Sequence, residues 1–214
     1  MRENWLKFLK SPINGKDLYF KNKSKIDNKF VIEGELSDGV NTFKIINGIP
    51  RFTSQNDYNL NFSINWKKFP KTQFENSNKN SPLEGLTNNM FNLITDKNNF
   101  NNLTVLDAGC GSGRFLDRIL NHKPKLVIAI EYSDSVDVAK KNIGNDIENI
   151  FFIQGDLLKI PLKDNIIDFV ISIGVLHHTP KPHNCFLKIY DVLKSNGYFA
   201  LAVYRHGYYS LPTV

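Results

Sequence analysis

The chain has 214 residues, 41% of them hydrophobic, and its 27 basic and 21 acidic side chains give a formal net charge of +6. This length accommodates one ordinary domain with an appendage, and the hydrophobic content suffices for a packed core, which excludes a disordered chain. The two cysteines exclude a disulfide framework, and without a signal peptide or an apolar run of about 18 residues we expect a cytoplasmic protein with no membrane partner.

The net charge is distributed unevenly along the chain. Residues 1–80 hold 14 basic and 8 acidic side chains, whereas residues 81–214 hold 13 of each. A basic first part favours a polyanion, such as RNA or a nucleotide-linked sugar, as a partner. The basic residues are 22 Lys and only 5 Arg, however, and Arg is the residue that phosphate-reading surfaces prefer. Nucleic acid is therefore a disfavoured partner that the sequence leaves open.

The first predicted unit spans residues 1–54 and is rich in β-structure. Alternating apolar residues at 29–36 and 41–46 flank Ser-Asp-Gly-Val, which predicts a β-hairpin. The unit ends on Gly-Ile-Pro-Arg-Phe at 48–52, a phrase that resembles the last strand of a small zinc-ribbon-like domain. Residues 1–100 contain neither Cys nor His, so we predict a remnant of that domain without a metal site. Its expected core consists of Leu18, Phe20, Phe30, Ile32, Phe43 and Ile45.

Residues 55–100 are predicted to form a lid and linker. Trp66 and Phe69 lie at helical spacing. The segment 66–73 reads Trp-x-x-Phe-Pro-x-Thr-Gln and resembles a segment that precedes the catalytic domain in methyltransferases of surface-sugar biosynthesis, where it helps to cover the cofactor. This resemblance makes Trp66 and Gln73 candidate cofactor-binding residues. The alternative for Trp66 is a helix that docks its aromatic face on the core.

The strongest signal lies at residues 103–115, Leu-Thr-Val-Leu-Asp-Ala-Gly-Cys-Gly-Ser-Gly-Arg-Phe. Residues 103–108 predict a buried parallel strand, and Gly109, Gly111 and Gly113 allow the backbone to turn tightly against a ligand. Such a strand and glycine-rich turn are typical of sites for nucleoside-bearing cofactors. A glycine turn without a ligand is disfavoured, because spaced glycines cost folding entropy without improving packing.

Asp107 stands two residues before the first glycine. The resulting pattern, Asp-x-Gly-x-Gly-x-Gly, resembles the first motif of class I S-adenosylmethionine (SAM)-dependent methyltransferases. The resemblance implies that Asp107 orients the glycine loop, against which the methionine part of the cofactor lies. Dinucleotide-binding enzymes also use Gly-x-Gly loops, but their fingerprint expects Gly or Ala where this chain has Arg114. A nicotinamide-dependent oxidoreductase is therefore the disfavoured alternative.

Residues 101–214 alternate strand and helix patterns, which predicts an α/β fold with a doubly wound, mostly parallel sheet of the Rossmann-like methyltransferase type. Only residues 204–214 follow the fifth strand, whereas members of the family continue with a helix and an antiparallel strand pair. We therefore expect a natural truncation or a fragment, or else a second copy or a protein partner that covers the sheet edge. The predicted strands span residues 103–108, 126–131, 150–156, 166–173 and 197–203, with a helix over 184–193.

Acidic residues end the second and third of these strands. Glu131, eighteen positions after Gly113, is placed to accept hydrogen bonds from ribose hydroxyls in dinucleotide enzymes and methyltransferases alike. Asp156 discriminates between the two, because the resemblance to methyltransferases implies that it accepts from the adenine amino group while Leu157 packs on the ring. The alternatives are a helix N-cap for Asp156 and an ordinary exposed carboxylate for Glu131.

The fourth strand leads into Val-Leu-His-His-Thr-Pro at residues 175–180, which resembles small-molecule methyltransferases of the quinone-methylating type. Ligands in open α/β sheets bind outside the carboxyl ends of the strands, where these histidines are expected. His178 is the candidate general base for a hydroxyl acceptor, and His177 is the second candidate. The alternative is that an imidazole packs under the cofactor or bonds the loop, while alignment and exclusion of water supply the catalysis.

These resemblances imply a SAM-dependent methyltransferase that acts on a small-molecule acceptor, with sugar- or nucleotide-linked compounds among the candidates. SAM is the implied cofactor, and no metal is implied. The short catalytic domain also leaves open an inactive, SAM-binding partner module.

Overall fold

The computed structural model describes residues 1–53, 64–81, 84–95, 100–144 and 147–203, which form two sheets. The strands are β1 (Tyr19–Asp27), β2 (Phe30–Ser37), β3 (Thr42–Ile46), β4 (Ile49–Pro50), β5 (Thr104–Ala108), β6 (Leu126–Glu131), β7 (Ile150–Gln154), β8 (Ile167–Ile173) and β9 (Leu193–Ala202). The helices are α1 (Leu86–Thr95), α2 (Leu116–Asn121), α3 (Ser135–Ile143) and α4 (Pro182–Val192), and 3₁₀ segments span Glu3–Phe8, Glu75–Ser77, Leu157–Lys159 and Leu176–His178.

The first sheet is an antiparallel meander in the order β1-β2-β3-β4. The predicted hairpin is present: β2 and β3 pair up to Ser37 opposite Thr42, and Asp38 closes the turn by accepting hydrogen bonds from the amides of Val40 and Asn41. Strand β1 is exposed along nearly its whole length. The resemblance of this unit to a zinc ribbon stays a prediction. Of the expected core residues, Leu18, Phe43 and Ile45 are buried, and Phe20, Phe30 and Ile32 are half-buried.

The second sheet is parallel, in the order β7-β6-β5-β8-β9, and confirms the predicted α/β class. Its strands β5, β6 and β7 are buried almost throughout, as expected where both faces of a parallel sheet are covered. Two strand boundaries differ from the prediction by more than one residue. Strand β7 ends at Gln154 because Asp156 caps the 3₁₀ turn that follows, and β9 begins at Leu193 because that residue already pairs with Ile167 of β8.

The two sheets share one hydrophobic core. Trp5 stacks on Phe151 of β7, with ring centroids 4.8 Å apart. Beside it, the amide of Phe52 donates to the carbonyl of Gln154 at 2.8 Å, and Arg51 forms a parallel bridge with Gln154. The N-terminal unit therefore covers the edge of β7, whose backbone groups require partners.

Strand β9 forms the opposite edge of the parallel sheet, and among the described residues it pairs with β8 alone. Tyr198 and Leu201 on this strand are exposed. Coverage of this edge by a second copy or a protein partner stays a prediction.

The helices that the structure describes are short, and α4 has 11 residues. None of them has the length and apolar character needed to cross a membrane. Within the same part of the chain, no group of three His, Cys, Asp or Glu side chains is arranged to hold a metal ion.

Candidate functional site

A cavity of about 410 Å³ opens at the carboxyl ends of β5, β6, β7 and β8. This volume lies in the range of about 300–1,000 Å³ that is usual for small-molecule sites, and the position is the one at which open α/β sheets bind ligands. Asp107 and Gly113 belong to the predicted site but do not line the cavity. The predicted site residues that do line it are Trp66, Gln73, Gly109, Gly111, Glu131, Asp156, Leu157 and His178.

The three glycines of the loop after β5 have three different surroundings. A Cβ atom on Gly109, whose φ is +93°, would lie 2.4 Å from Val175 Cγ1, and one on Gly113 would lie 3.4 Å from the backbone of Ala139 on α3. A Cβ atom on Gly111 would have Trp66 Nε1, 3.7 Å away, as its nearest neighbour. The sequence predicts that all three serve the approach of a ligand, whereas Gly109, which does line the cavity, is also required by packing against Val175. At Gly113 the 3.4 Å contact is an ordinary van der Waals distance, and its φ of +95° is what favours glycine there. Gly111 also lines the cavity, and a Cβ atom there would contact Trp66 at an ordinary distance.

Asp107, at the base of this loop, is only 3% exposed. Burial and, to a smaller extent, the charge of Glu131 raise the pKa of its carboxyl from 3.8 to about 8. Its Oδ2 atom has no hydrogen-bond partner among the described residues. A buried carboxyl without full hydrogen bonding costs free energy, and such groups are concentrated at functional sites.

Glu131, at the end of β6, ties two loops together at the cavity wall. Its Oε2 accepts a hydrogen bond from the amide of Gly111 at 3.0 Å, and its Oε1 accepts from the amide and the hydroxyl of Ser133 at 2.9 and 2.8 Å. A carboxylate offers about four acceptor positions, so these three donors leave capacity for a ligand hydroxyl. Glu131 is thus more than an ordinary exposed carboxylate.

Asp156 caps a turn, as one of the alternatives considered from the sequence predicted, and its proposed role in binding adenine stays a prediction. Its Oδ1 accepts from the amide of Leu158 at 2.8 Å and caps the 3₁₀ turn Leu157–Lys159. Asp156 and Leu157 also line the cavity. The cap therefore fixes the carboxyl group beside the cavity rather than excluding it from a ligand role.

The segment 64–81 lies over the glycine loop. Residues 64–68 are helical, and Trp66 on this turn is half-buried, whereas Phe69 is exposed. Asn142 Nδ2 on α3 donates to the carbonyls of both Pro70 and Ser112, at 2.8 and 2.9 Å, and so joins this segment to the loop. The role of this segment as a cover for the cavity stays a prediction.

The two neighbouring histidines differ in their access to the cavity. His178 is exposed and lines the cavity, whereas His177 is half-buried and does not line it. Their ring centroids lie 4.0 Å apart. Burial and the adjacent His178 lower the pKa of His177 below its ordinary value. Of the two candidates for a base, His178 is the one that faces the cavity.

Arg114 is a cavity residue whose role sequence analysis missed. Its Nε donates to Thr87 Oγ1 on α1 at 2.8 Å, and the residue lines the cavity together with the acidic Glu131 and Asp156. The sequence shows Arg114 only as a departure from a dinucleotide fingerprint. Its contact with a helix 27 positions earlier in the chain follows no local pattern.

Comparison with known proteins finds a family match for the region that contains most of the residues lining the cavity. Residues 106–201 match the family described as "Methyltransferase domain". An uncharacterized methyltransferase of Schizosaccharomyces pombe is 36% identical over 99 residues, which cover 46% of this chain and 38% of the relative. The tRNA U34 carboxymethyltransferase of Shewanella loihica is 34% identical over 104 residues, which cover 47% of this chain and 31% of the relative. The matched part of the chain thus spans about a third of the length of these relatives.

A solved structure extends the similarity beyond this region. A Methanococcus maripaludis protein assigned as a SAM-dependent methyltransferase superposes with a TM-score of 0.53 and is 24% identical. The match covers 67% of this chain and 63% of that protein. At this level of identity the likeness concerns the fold.

Proposed function

We propose that residues 106–201, which match a methyltransferase domain, form a class I SAM-dependent methyltransferase domain, and that the chain binds SAM in the cavity and transfers its methyl group to a small-molecule acceptor. The observation that carries the proposal is the position of Glu131, which bonds the glycine loop and lines the same cavity as Asp156. Glu131 is the last residue of β6. Asp156 follows the end of the neighbouring parallel strand, β7, by two residues.

The residues around the cavity fit the parts of SAM. Gly111 brings the loop backbone to the cavity wall, and Glu131 has acceptor capacity for a ribose hydroxyl. In our proposal Asp156 accepts from the adenine amino group and Leu157 packs on the adenine ring. Arg114 provides a permanent positive charge, which suits the carboxylate of the methionine part.

When bound, SAM supplies an electrophilic methyl group on a sulfonium centre. The chain contributes binding, alignment and exclusion of water, for which we propose Trp66 and Gln73 as cover. We propose that His178 accepts the proton of the acceptor group as the methyl group moves. Sugar- or nucleotide-linked compounds are the acceptor class that we propose to test first.

The cofactor proposal is tested by isothermal titration of the chain with SAM and S-adenosylhomocysteine, with NAD as the negative control. We expect binding of the first two alone. Glu131→Ala should weaken SAM binding roughly 10- to 150-fold, because hydrogen bonds to charged groups contribute about 1.5–3 kcal/mol. Glu148→Ala is the matched control, since Glu148 is exposed and does not line the cavity. Equal effects of the two substitutions would contradict the proposed site.

The role of His178 requires turnover with an accepted substrate. His178→Gln should lower kcat by about 10²–10⁴ and leave SAM affinity unchanged, because a general base acts on the reacting proton. An unchanged kcat would assign the catalysis to alignment alone, and methylation of RNA in preference to sugar- or nucleotide-linked compounds would contradict the proposed acceptor class.

A further inference from the structure

The turn that follows Glu131 is held from outside by the N-terminal unit. This turn, residues 132–134, connects β6 to α3 and carries Ser133, which donates to Glu131. Thr53 Oγ1 donates to the carbonyl of Tyr132 at 3.0 Å. Gln154 Nε2 donates to the same carbonyl at 3.3 Å and to Asp134 Oδ1 at 3.2 Å. The ribose side of the cavity thus depends on contacts outside its own loop.

Arg51 organises these contacts. Its Nη1 and Nη2 form a fork on Asp137 in the first turn of α3, at 2.9 and 2.7 Å, and the side chain is only 11% exposed. Its Nη1 also donates to Gln154 Oε1 at 3.2 Å. Because the amide oxygen of Gln154 is engaged by Arg51, its NH₂ group is the end that donates to the turn. Arg51 therefore fixes both the start of α3 and the orientation of the Gln154 amide.

We propose that Arg51 is a positioning residue of the cofactor site, which holds the turn 132–134, and through it Glu131, in the geometry that receives the ribose. This inference rests on the proposed function. The backbone of Arg51 is itself anchored, since its amide donates to the carbonyl of Lys44 at 2.8 Å. The N-terminal sheet thereby acts as an internal brace of a site to which residues 1–53 contribute no lining side chain.

The competing explanation is that Arg51 only holds the two sheets together and has no effect on the cofactor site. The chain contains a control for this explanation. Lys10 pairs with Asp164 at 2.5 Å and also links the N-terminal unit to the parallel-sheet domain. Neither residue lines the cavity or contacts the turn after β6 through a hydrogen bond among those that the structure describes. Lys10→Met therefore removes an ion pair between the same two parts without touching the ribose side.

The test compares the affinity of the full chain for S-adenosylhomocysteine with its affinity for the 2′-deoxy analogue. The wild type should prefer the ribose compound. Arg51→Met should weaken binding of the ribose compound about tenfold and reduce this preference, whereas Lys10→Met should change neither. Arg51→Lys should recover part of the loss, because it retains one ionic contact but not the fork. Gln154→Met should also reduce the preference, and the effects of Gln154→Met and Arg51→Met should be less than additive in the double variant, since part of the effect of Arg51 passes through the Gln154 amide.

The possible outcomes distinguish a failure of this inference from a failure of the proposed function. A wild type that binds neither compound would overturn the proposed function and this inference with it. A wild type that binds both equally, or an Arg51→Met variant that keeps the full preference, would overturn the inference alone. If Arg51→Met does not fold, Gln154→Met and Thr53→Val carry the same test, with a smaller loss of preference expected for Thr53→Val.

Discussion

The two sheets of this protein use their strands in opposite ways. In the parallel sheet, β5 and β7 are buried throughout, and the residues that follow the strands line the cavity. In the antiparallel sheet, β1 is exposed over nearly all of its nine residues, and no residue of 1–53 lines the cavity. Parallel strands present all their carboxyl ends at one edge, so cofactor chemistry is concentrated there. The antiparallel sheet contributes support from the side.

The charge of the chain follows the same division. Lys21, Lys23 and Lys25 lie on the exposed edge strand β1, and two of them form ion pairs with Glu35 and Glu3. Lysines on an edge strand oppose pairing with another chain. This accounts for part of the basic excess of the first 80 residues without a polyanionic partner.

The largest expected effect concerns Asp107, in the buried sheet. Its pKa is about 8 in the folded chain against 3.8 in the unfolded one, so the stabilisation from its protonated form is complete below pH 4 and is lost as the pH rises through 8. Asp107→Asn removes this dependence. The free energy of unfolding of the variant, minus that of the wild type, should therefore increase between pH 4 and pH 8. The increase should be at most about 1.4 kcal/mol per pH unit.

Urea unfolding at pH 5 and pH 8 measures this difference. The groups that face Asp107 electrostatically are Glu131 and Cys110, and both remain in the variant. A difference between variant and wild type that does not change with pH would show that Asp107 is ionised in the folded chain.

The next largest effect is the cost in stability of Gly109→Ala, which is compared with that of Gly39→Ala in the hairpin turn of the antiparallel sheet. Gly109 and Gly39 have nearly equal φ angles, +93° and +94°, but a Cβ atom on Gly109 would meet Val175, whereas one on Gly39 would have no described atom within 4 Å. Gly39→Ala should cost about 1 kcal/mol from the positive φ alone. Gly109→Ala should cost about 2–4 kcal/mol, because overpacking adds to the same strain.

Urea unfolding of both variants gives the two costs, and the double variant Gly109→Ala/Val175→Ala isolates the steric part. Replacing Val175 should recover some of the loss caused by Gly109→Ala. Equal costs at Gly39 and Gly109 would mean that the glycine loop is not packed against the segment after β8.

The smallest effect is expected on β1. Replacing Lys21, Lys23 and Lys25 together by Gln should change the free energy of unfolding by less than about 1 kcal/mol, because exposed ion pairs contribute little. SAM affinity at low ionic strength should be unchanged, since this strand does not line the cavity. A marked fall in SAM affinity would show that the antiparallel sheet influences the site through its charge as well as through Arg51.

The elements that depend on residues close together in the chain could be predicted from the sequence. The hairpin of β2 and β3 and the strand before the glycine loop follow from alternation and turn residues, and the positions of Glu131 and Asp156 follow from spacing along the chain. The resemblance predicts Trp66 near the cofactor, which stays a prediction, and the structure shows Trp66 beside Gly111. The end of β7 was predicted two residues too late, because capping by Asp156 competes with strand pairing.

The order of strand, glycine loop and acidic strand ends was determined by the sequence alone, since periodicity and turn chemistry are local properties. Only the tertiary structure decided that Gly109 is required by packing as well as by its backbone angle, because its neighbour Val175 comes from another part of the chain. The same holds for Arg51, whose partners Asp137 and Gln154 lie 86 and 103 positions away. No local pattern encodes contacts of that separation, and they arise only when the two sheets pack around one core.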